Sequence, residues 1–589
     1  MNHEQTHGVG HPLIVTTAIE GTWDSSHGIV WAGEWCRRPS RRHVWEPLGG
    51  AVVESLWTPE RAFESAETAH ALSAIRDKLI AALGQRLAKI HGLPSGQRFW
   101  RVVLGGWALL YVSELHDRYL TTTRVRALYP DCAVTAPAAD HHWTPTTTYE
   151  QYLAFAADDY NLQTFGAVFE ALGASPKPSA VVVARESPRG GLSAKPLAAF
   201  ARLVSRARGG QVTLLNLTYL PWPVVIALAC KTLCAALPVP RLRAPSAPRD
   251  DRKRHLLDDL PLGDGQFERL LSVLVVRDLP TVFLEGLPEL IQMVRRGFPD
   301  RAAAWFSATG WYFDEPFKLA AALAADRGAQ LLGTQHGGNY GVVDAVRPFE
   351  DLELSLVDHY YTWGWHRRDV ATPTSVMPAT KFMTRSFSRH VRPDGVLLVS
   401  TTTPTRYNFV AEAWYEACIA WQERFTKALG EDGRALLRVR LHKDDQGWDM
   451  AFRWAGFAPD VQIERQDDTC FEDSIMRSRV VVCDHLSTTH AQVIVAGRPT
   501  ILFWDPATEL IRPEALPVFN RLRDVGVLCA TPERAAQTVL EIYGDADAWW
   551  ADGTRHAAVA EFVKRYALVL PNARKLWAQE LRRCARRRA

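Results

Sequence analysis

Beyond residue 395 the chain alternates short apolar runs with helical stretches, and few architectures can use that rhythm. Strands are expected at 395–401, 436–441, near Val461, and at 480–483, 500–503 and 526–529. Between and after them, apolar residues recur at helical spacing over 408–429, 488–496 and 532–543. Runs such as Val480-Val-Val-Cys483 lack the polar–apolar alternation of a half-exposed strand, so both of their faces must be covered. Covered strands alternating with helices specify a parallel sheet with helices on each side.

The first part of the chain carries the same signal with interruptions. Strands are expected at 13–17, 28–32, 180–183 and 211–215, and helices at 60–90, 97–120 and 150–172. The stretch 241–266, rich in Pro, Arg, Asp and Gly, reads as a surface loop, and its Arg252-Lys253-Arg254 cluster as solvated charge. A helix at 281–295, a strand at 303–307, a helix at 315–327 and a strand at 330–333 then resume the pattern. The expected parse is two α/β domains, residues 1–380 and 381–589.

Composition narrows the function classes. The 68 Lys and Arg nearly balance the 65 Asp and Glu, so nothing favours a nucleic-acid binder. Nine scattered Cys without a CxxC pair exclude a disulfide framework or a structural zinc site, and point to the cytoplasm. The polar opening MNHEQTHGVGHP lacks the pattern of a signal peptide. The longest apolar run, 224–237, is too short to span a bilayer. Twenty-one Trp supply core, or flat faces for sugars or bases.

Four stretches can carry chemistry. Gly333-Thr-Gln-His-Gly-Gly-Asn-Tyr-Gly341 leaves a strand and sets His336 beside Gly337 and Gly338. It is either a tight turn with a structural His or one side of a cleft, since ligands bind beyond the carboxyl ends of parallel strands. Asp484-His-Leu-Ser-Thr-Thr489 places Ser487 at a helix N-cap; the helix amides with Thr488 and Thr489 form either an ordinary cap or an anion pocket. Arg440, His442 and Lys443, with Thr402 at the end of the preceding strand, could neutralise a phosphate or simply face water. Gly33-Glu34-Trp35 offers a carboxylate that an apolar ring would make a better proton donor, or a Glu bound to backbone or Arg. Protease, P-loop and kinase motifs are absent, and Asp545-Ala-Asp547 follows a helix, unlike a metal-holding DxD.

Together, these segments resemble a family of transferases of bacterial surface-carbohydrate biosynthesis. The resemblance runs through Thr16–Trp23, Gly33–Cys36, His91-Gly92, Phe99-Trp-Arg101, Asp117-Arg118, Asp314–Lys318, Gln335–Gly341, Thr362-Trp-Gly-Trp365, Asp484–Thr489 and Phe503-Trp-Asp505. The family is similar to two-domain GT-B glycosyltransferases, among them capsule Kdo and nonulosonate transferases that use CMP-sugars. The resemblance implies an α/β, GT-B-like fold of two Rossmann-like domains with parallel sheets facing across a cleft. It implies a nucleotide held by Ser487, Thr488, Thr489 and His442; Lys443 stands where the related enzymes carry Pro. His336 or Glu34 would remove the acceptor proton, or Glu34 would act as a nucleophile if configuration is retained, and Gln335, Gly337, Gly338 and Tyr340 would line the substrate site. The partners implied are a CMP-linked donor and a glycan or lipid-linked glycan acceptor, without metal or cofactor. The expected location is the cytoplasm, peripheral at the inner membrane face, with the basic end 582–588 touching lipid. A CMP-releasing polyol-phosphate transferase, a UDP- or GDP-hexose transferase and a non-catalytic glycan-binding shell are the alternatives.

Overall fold

The computed structural model describes residues 11–55, 62–94, 96–183, 195–383, 392–402, 411–465, 467 and 469–586. Its strands form three sheets, and every pairing within them is parallel. The first sheet comprises β1 (Leu13–Val15), β2 (Ile29–Trp31), β3 (Ala51–Val52), β4 (Ala133–Pro137) and β5 (Lys177–Ser179), in the order β3-β2-β1-β4-β5. The second holds β6 (Thr213–Asn216), β7 (Ala236–Pro238), β8 (Ala304–Ser307), β9 (Gln330–Thr334), β10 (His359–Thr362) and β11 (Thr374–Val376). Its order is β11-β10-β9-β8-β6-β7. The third holds β12 (Val396–Val399), β13 (Leu437–Arg440), β14 (Gln462–Glu464), β15 (Val480–Cys483), β16 (Thr500–Phe503) and β17 (Leu528–Cys529), ordered β14-β13-β12-β15-β16-β17.

That last order runs 3-2-1-4-5-6, the doubly wound Rossmann arrangement, with its topological switch between β12 and β15. All residues of β12, β15 and β16 are buried, as their unbroken apolar runs require. In the second sheet the order reverses between β6 and β8. The carboxyl ends of these two sheets meet. Val343, in the loop after β9, bridges Ile511 in the loop after β16, and the Arg512 N–H donates to the Val342 carbonyl at 2.8 Å. The α/β class and the facing parallel sheets therefore match the GT-B-like expectation.

Three features depart from it. The expected first domain contains two sheets, because β1 to β5 form an open sheet of their own instead of joining the second. The expected second domain loses its end: the Ala573–Ala585 helix packs beneath the second sheet, with Trp577 against Phe306 and Tyr361, and its Leu581 carbonyl accepting from Thr213 Oγ1 at 2.9 Å. The stretch around residue 254 is core-forming. Arg254 is 1% exposed, paired with Glu285 and donating to the Val276 and Leu279 carbonyls, while Leu257, Leu260 and Leu262 are buried beside it.

Smaller differences concern boundaries. The 150–172 stretch divides into helices Thr148–Ala154 and Asp158–Ala171, the expected strand at 180–183 lies after β5, and a helix at Gln266–Asp278 was unforeseen. Eleven of the 21 tryptophans, among them Trp100, Trp107 and Trp363, are buried, which places about half of them in the core. No helix among the described residues is long and apolar enough to cross a membrane. The opening residues 1–10, Thr403 and the final 587–589 lie outside the described residues.

Candidate active site

His336 sits where β9 runs out, and the turn that carries it is braced from within. Gln335 is fully buried; its amide donates to the Gly337 carbonyl at 2.8 Å, and its carbonyl accepts from Trp363 N and Trp365 Nε1, both at 2.8 Å. Gln335 is thus a clamp on the turn, not a substrate contact. Tyr340 is also buried, and its hydroxyl donates to Glu353 Oε1 at 2.6 Å. It too supports the turn, which corrects its expected place in the substrate site.

The His336 ring is enclosed by aromatics. Tyr219, at the end of β6, stacks on it with centroids 6.0 Å apart and planes 11° from parallel. Tyr312 meets it edge-on, and the Tyr340 hydroxyl lies 3.2 Å from Nε2. Nδ1 has no hydrogen-bond partner and stands 3.7 Å from Glu353. Burial without a partner anion drives the imidazole pKa down to about 4, so the ring is neutral at pH 7. Beneath it, Glu353 accepts hydroxyl protons from Tyr312, Tyr340 and Tyr360 at 2.6–2.8 Å. Burial outweighs those bonds and raises the carboxyl pKa to about 8. Lys381 Nζ lies 5.1 Å over the Tyr219 ring.

The opposing wall comes from the switch point of the third sheet. Ser487 caps the Thr488–Val495 helix: its Oγ accepts from Thr489 N at 3.1 Å, and its own N–H donates to His490 Nδ1 at 3.1 Å. Behind the cap, Asp484 Oδ1 is 2.7 Å from His485 Nδ1, and His485 Nε2 is 2.8 Å from Ser487 Oγ. Gln422 ties Asp484 to Ser400 at the end of β12. Asp484, His485 and Gln422 are all at most 2% exposed, so the cap is held by a closed polar chain.

The two walls touch. The Gly338 N–H donates to Thr488 Oγ1 at 3.2 Å. A Cβ on Gly338 would lie 2.6 Å from the Ser487 carbonyl oxygen and 3.1 Å from Thr488 Cα. Only glycine lets the turn approach that closely. A Gly338→Ala variant must separate the walls; we expect it to lose about 1–3 kcal/mol of stability and to bind ligand in this crevice about tenfold more weakly, checked by thermal melting and titration calorimetry.

The remaining expected residues divide. His442 and Thr402 stand at the neighbouring strand ends, with Thr402 Oγ1 3.5 Å from the Asp445 carbonyl, while Lys443 is 68% exposed beside Asp444. Arg440 is not available to a phosphate. It lies opposite Glu464 in the β13–β14 ladder, pairs with that carboxylate, and also donates to Ser474 and the Thr469 carbonyl. Glu34 is solvent-exposed and bound by Arg37 at 2.5 Å, so the apolar surroundings expected from Trp35 are not realised. It lines a separate groove of about 540 Å3 with Arg38, Trp45 and Arg453. Sequence reasoning missed Tyr219, Glu353 and Lys381, and gave no role to Asp484 and His485 although both lie in the Asp484–Thr489 stretch it singled out. For Tyr219 and Asp484 the usable signal was position, immediately beyond a strand end at a switch point.

The sequence profile of the LIC12162 family transferases matches residues 12–581. The chain belongs to the LIC12162 transferase family. No curated protein matches it. Among solved structures it is similar to TarM, at 11% identity and a TM-score of 0.31, over 48% of this chain and 55% of that one. It is also similar to the S. aureus MnaA–UDP co-structure (11%, 0.34, 62% and 93%). A third is the wall teichoic acid polymerase TagF (11%, 0.31, 64% and 89%). The chain thus spans about half the length of TarM and most of the other two.

Proposed function

We propose that this LIC12162 family transferase is a metal-independent glycosyltransferase of surface-polymer synthesis. It would move a sugar from a nucleotide donor to a glycan acceptor at the crevice between His336 and the Ser487–Thr489 turn. One observation carries the reading: the Gly338–Thr488 contact joins two strand-end sites, each at or beside the carboxyl edge where doubly wound sheets bind ligands. We assign the donor phosphate to the N-terminus of the Thr488–Val495 helix and the hydroxyls of Thr488 and Thr489, the Thr489 amide being held by the Ser487 cap, with His442, Lys443 and Thr402 toward the nucleoside. Ser487 and His485 hold that turn, and the amides then stabilise the charge that develops on the leaving phosphate.

His336 serves the acceptor. Its neutral ring can accept the proton of an attacking hydroxyl, and an anionic donor placed nearby raises its pKa from about 4 toward the useful range. Glu34 is no longer needed as base. The donor we favour is CMP-linked, a nonulosonic acid or Kdo, on the resemblance of the strand-end motifs; the acceptor is a glycan, carried by lipid.

Nucleotide-induced thermal stabilisation tests the donor. CMP at about a hundred times its Kd should stabilise the native state by about 2.7 kcal/mol, and a Thr488→Ala/Thr489→Ala double variant should abolish the shift. A shift with UDP or GDP instead replaces the CMP donor with a hexose donor. No shift with any of the three, at millimolar concentration, rejects the nucleotide-sugar reading. Mass spectrometry of the product separates sugar transfer from polyol-phosphate transfer.

A further inference from the structure

The Trp222–Lys231 helix, which follows Tyr219 by only a few residues, is apolar on both sides. Val224, Val225 and Leu228 face the second sheet, as a surface helix requires. The outer side repeats the pattern where polar residues belong: Trp222 is 61% exposed and Ile226 56%, and just past the helix Leu233 is 76% exposed. A single exposed leucine means nothing, but Trp222 and Ile226 stand one turn apart on the helix with Leu233 just past its end, and three large exposed apolar side chains on one short element mark a contact surface.

The chain segment that carries this face is basic. From Lys195 to Arg249 the sequence carries eight Lys or Arg and no Asp or Glu. The structure places two of these cations, Arg208 and Lys231, at the apolar tip, with Arg582 of the last helix beside them. Arg208 donates to the Leu233 carbonyl at 3.0 Å, and Arg582 of the last helix donates to the Lys231 carbonyl. Glu580, the carboxylate of that last helix, is turned inward onto Tyr361 and paired with Arg583. An exposed Trp and Ile on a helix whose far end is flanked by Arg and Lys match the chemistry of an anionic bilayer surface: rings at the headgroup level, cations on phosphates.

We infer that Trp222, Ile226 and Leu233, with Lys231, Arg208 and Arg582 around them, form a docking face for an anionic phospholipid leaflet. The face begins where Tyr219 stacks on His336, so docking sets the mouth of the crevice beside the bilayer. Its binding to lipid stands alone; its purpose, presenting the crevice to a lipid-linked acceptor, rests on the transferase reading above.

Co-sedimentation of the full chain with vesicles tests it. Vesicles of 30% phosphatidylglycerol in phosphatidylethanolamine should pellet the protein, whereas pure phosphatidylcholine should pellet about tenfold less. A Trp222→Ser/Ile226→Ser variant, and separately Lys231→Glu/Arg582→Glu, should each cut binding about tenfold without altering nucleotide-induced thermal shifts. Equal pelleting of wild type and both variants overturns the inference. So does a failure to bind the anionic vesicles, or a dimer in size-exclusion chromatography that the first variant dissolves while lipid binding is absent. Lipid binding without any nucleotide shift leaves the docking face standing and removes the transferase reading instead.

Discussion

Replacing His336 with alanine is expected to lower kcat by about a hundred- to a thousandfold with little change in donor affinity, the loss usual for a positioned acid–base group. The ring packs against Tyr219 and Tyr340 while the contact with the Ser487–Thr489 turn is made by Gly338, so its removal leaves that opposing wall intact. The pH profile makes the prediction sharper. Burial holds the His336 pKa at about 4, below its ordinary 6.5. Its contribution to folding stability is therefore full above about pH 6.5 and lost as pH falls through about 4. In the free protein the base is available down to that acid value, and this limit appears in kcat/KM. With an anionic donor bound, the pKa rises, and the acid limb of kcat should lie above that of kcat/KM. Measuring both limbs against soluble acceptor checks this. A His336→Ala protein with wild-type kcat, or a kcat limb more acidic than that of kcat/KM, removes His336 from the chemistry.

How much of this could be read from the chain alone differs by element. The third sheet was legible because β12, β15 and β16 are buried on both faces and their sequences are unbroken apolar runs. The His336 turn and the Ser487 cap were legible for a related reason: glycines after a strand and Ser-Thr-Thr before a helix are local signals. Their contact through Gly338 and Thr488, 150 residues apart, has no local signature. The first sheet was hidden by brevity, since β3 has two residues and β5 contains a proline. Arg440 misled because its partner Glu464 arrives from another strand; alone, a basic residue near a strand end looks like a phosphate ligand. Glu34 misled in the opposite direction, since Trp35 turns away to bond the Thr16 carbonyl and leaves the carboxylate to Arg37. Glu353 lies on the amphipathic Arg347–Leu356 helix, whose polar pattern suggests a solvent face; only the tertiary fold turns it inward under three tyrosines.

Glu353 yields the largest expected stability effect. Its pKa is raised to about 8, so at neutral pH the carboxyl is protonated and uncharged. Glu353→Ala strands the hydroxyls of Tyr312, Tyr340 and Tyr360 and opens a cavity, with an expected loss of about 3–5 kcal/mol. Glu353→Gln behaves differently. Glutamine is close in shape to the neutral acid, and each tyrosine hydroxyl can accept as well as donate, so the expected loss at pH 6 is about 1 kcal/mol. Because the folded pKa lies above the ordinary carboxylate value, the stabilisation from this group is full below about pH 4.5 and is lost as pH rises through about 8. Wild type should therefore lose about 4 kcal/mol from this group between pH 5 and 8.5, and Glu353→Gln should lose none of it. His336 works with the opposite sign, losing stability toward acid, but it is present in both proteins and cancels in the difference. Melting curves of the two proteins at pH 5, 6.5 and 8.5 decide the matter. Parallel curves would mean that Glu353 is ionised throughout. A charged Glu353 would hold His336 protonated by attraction across 3.7 Å, and a protonated ring cannot take the acceptor's proton. The two variants thus report on one device: a carboxyl kept neutral so that the imidazole above it stays neutral too.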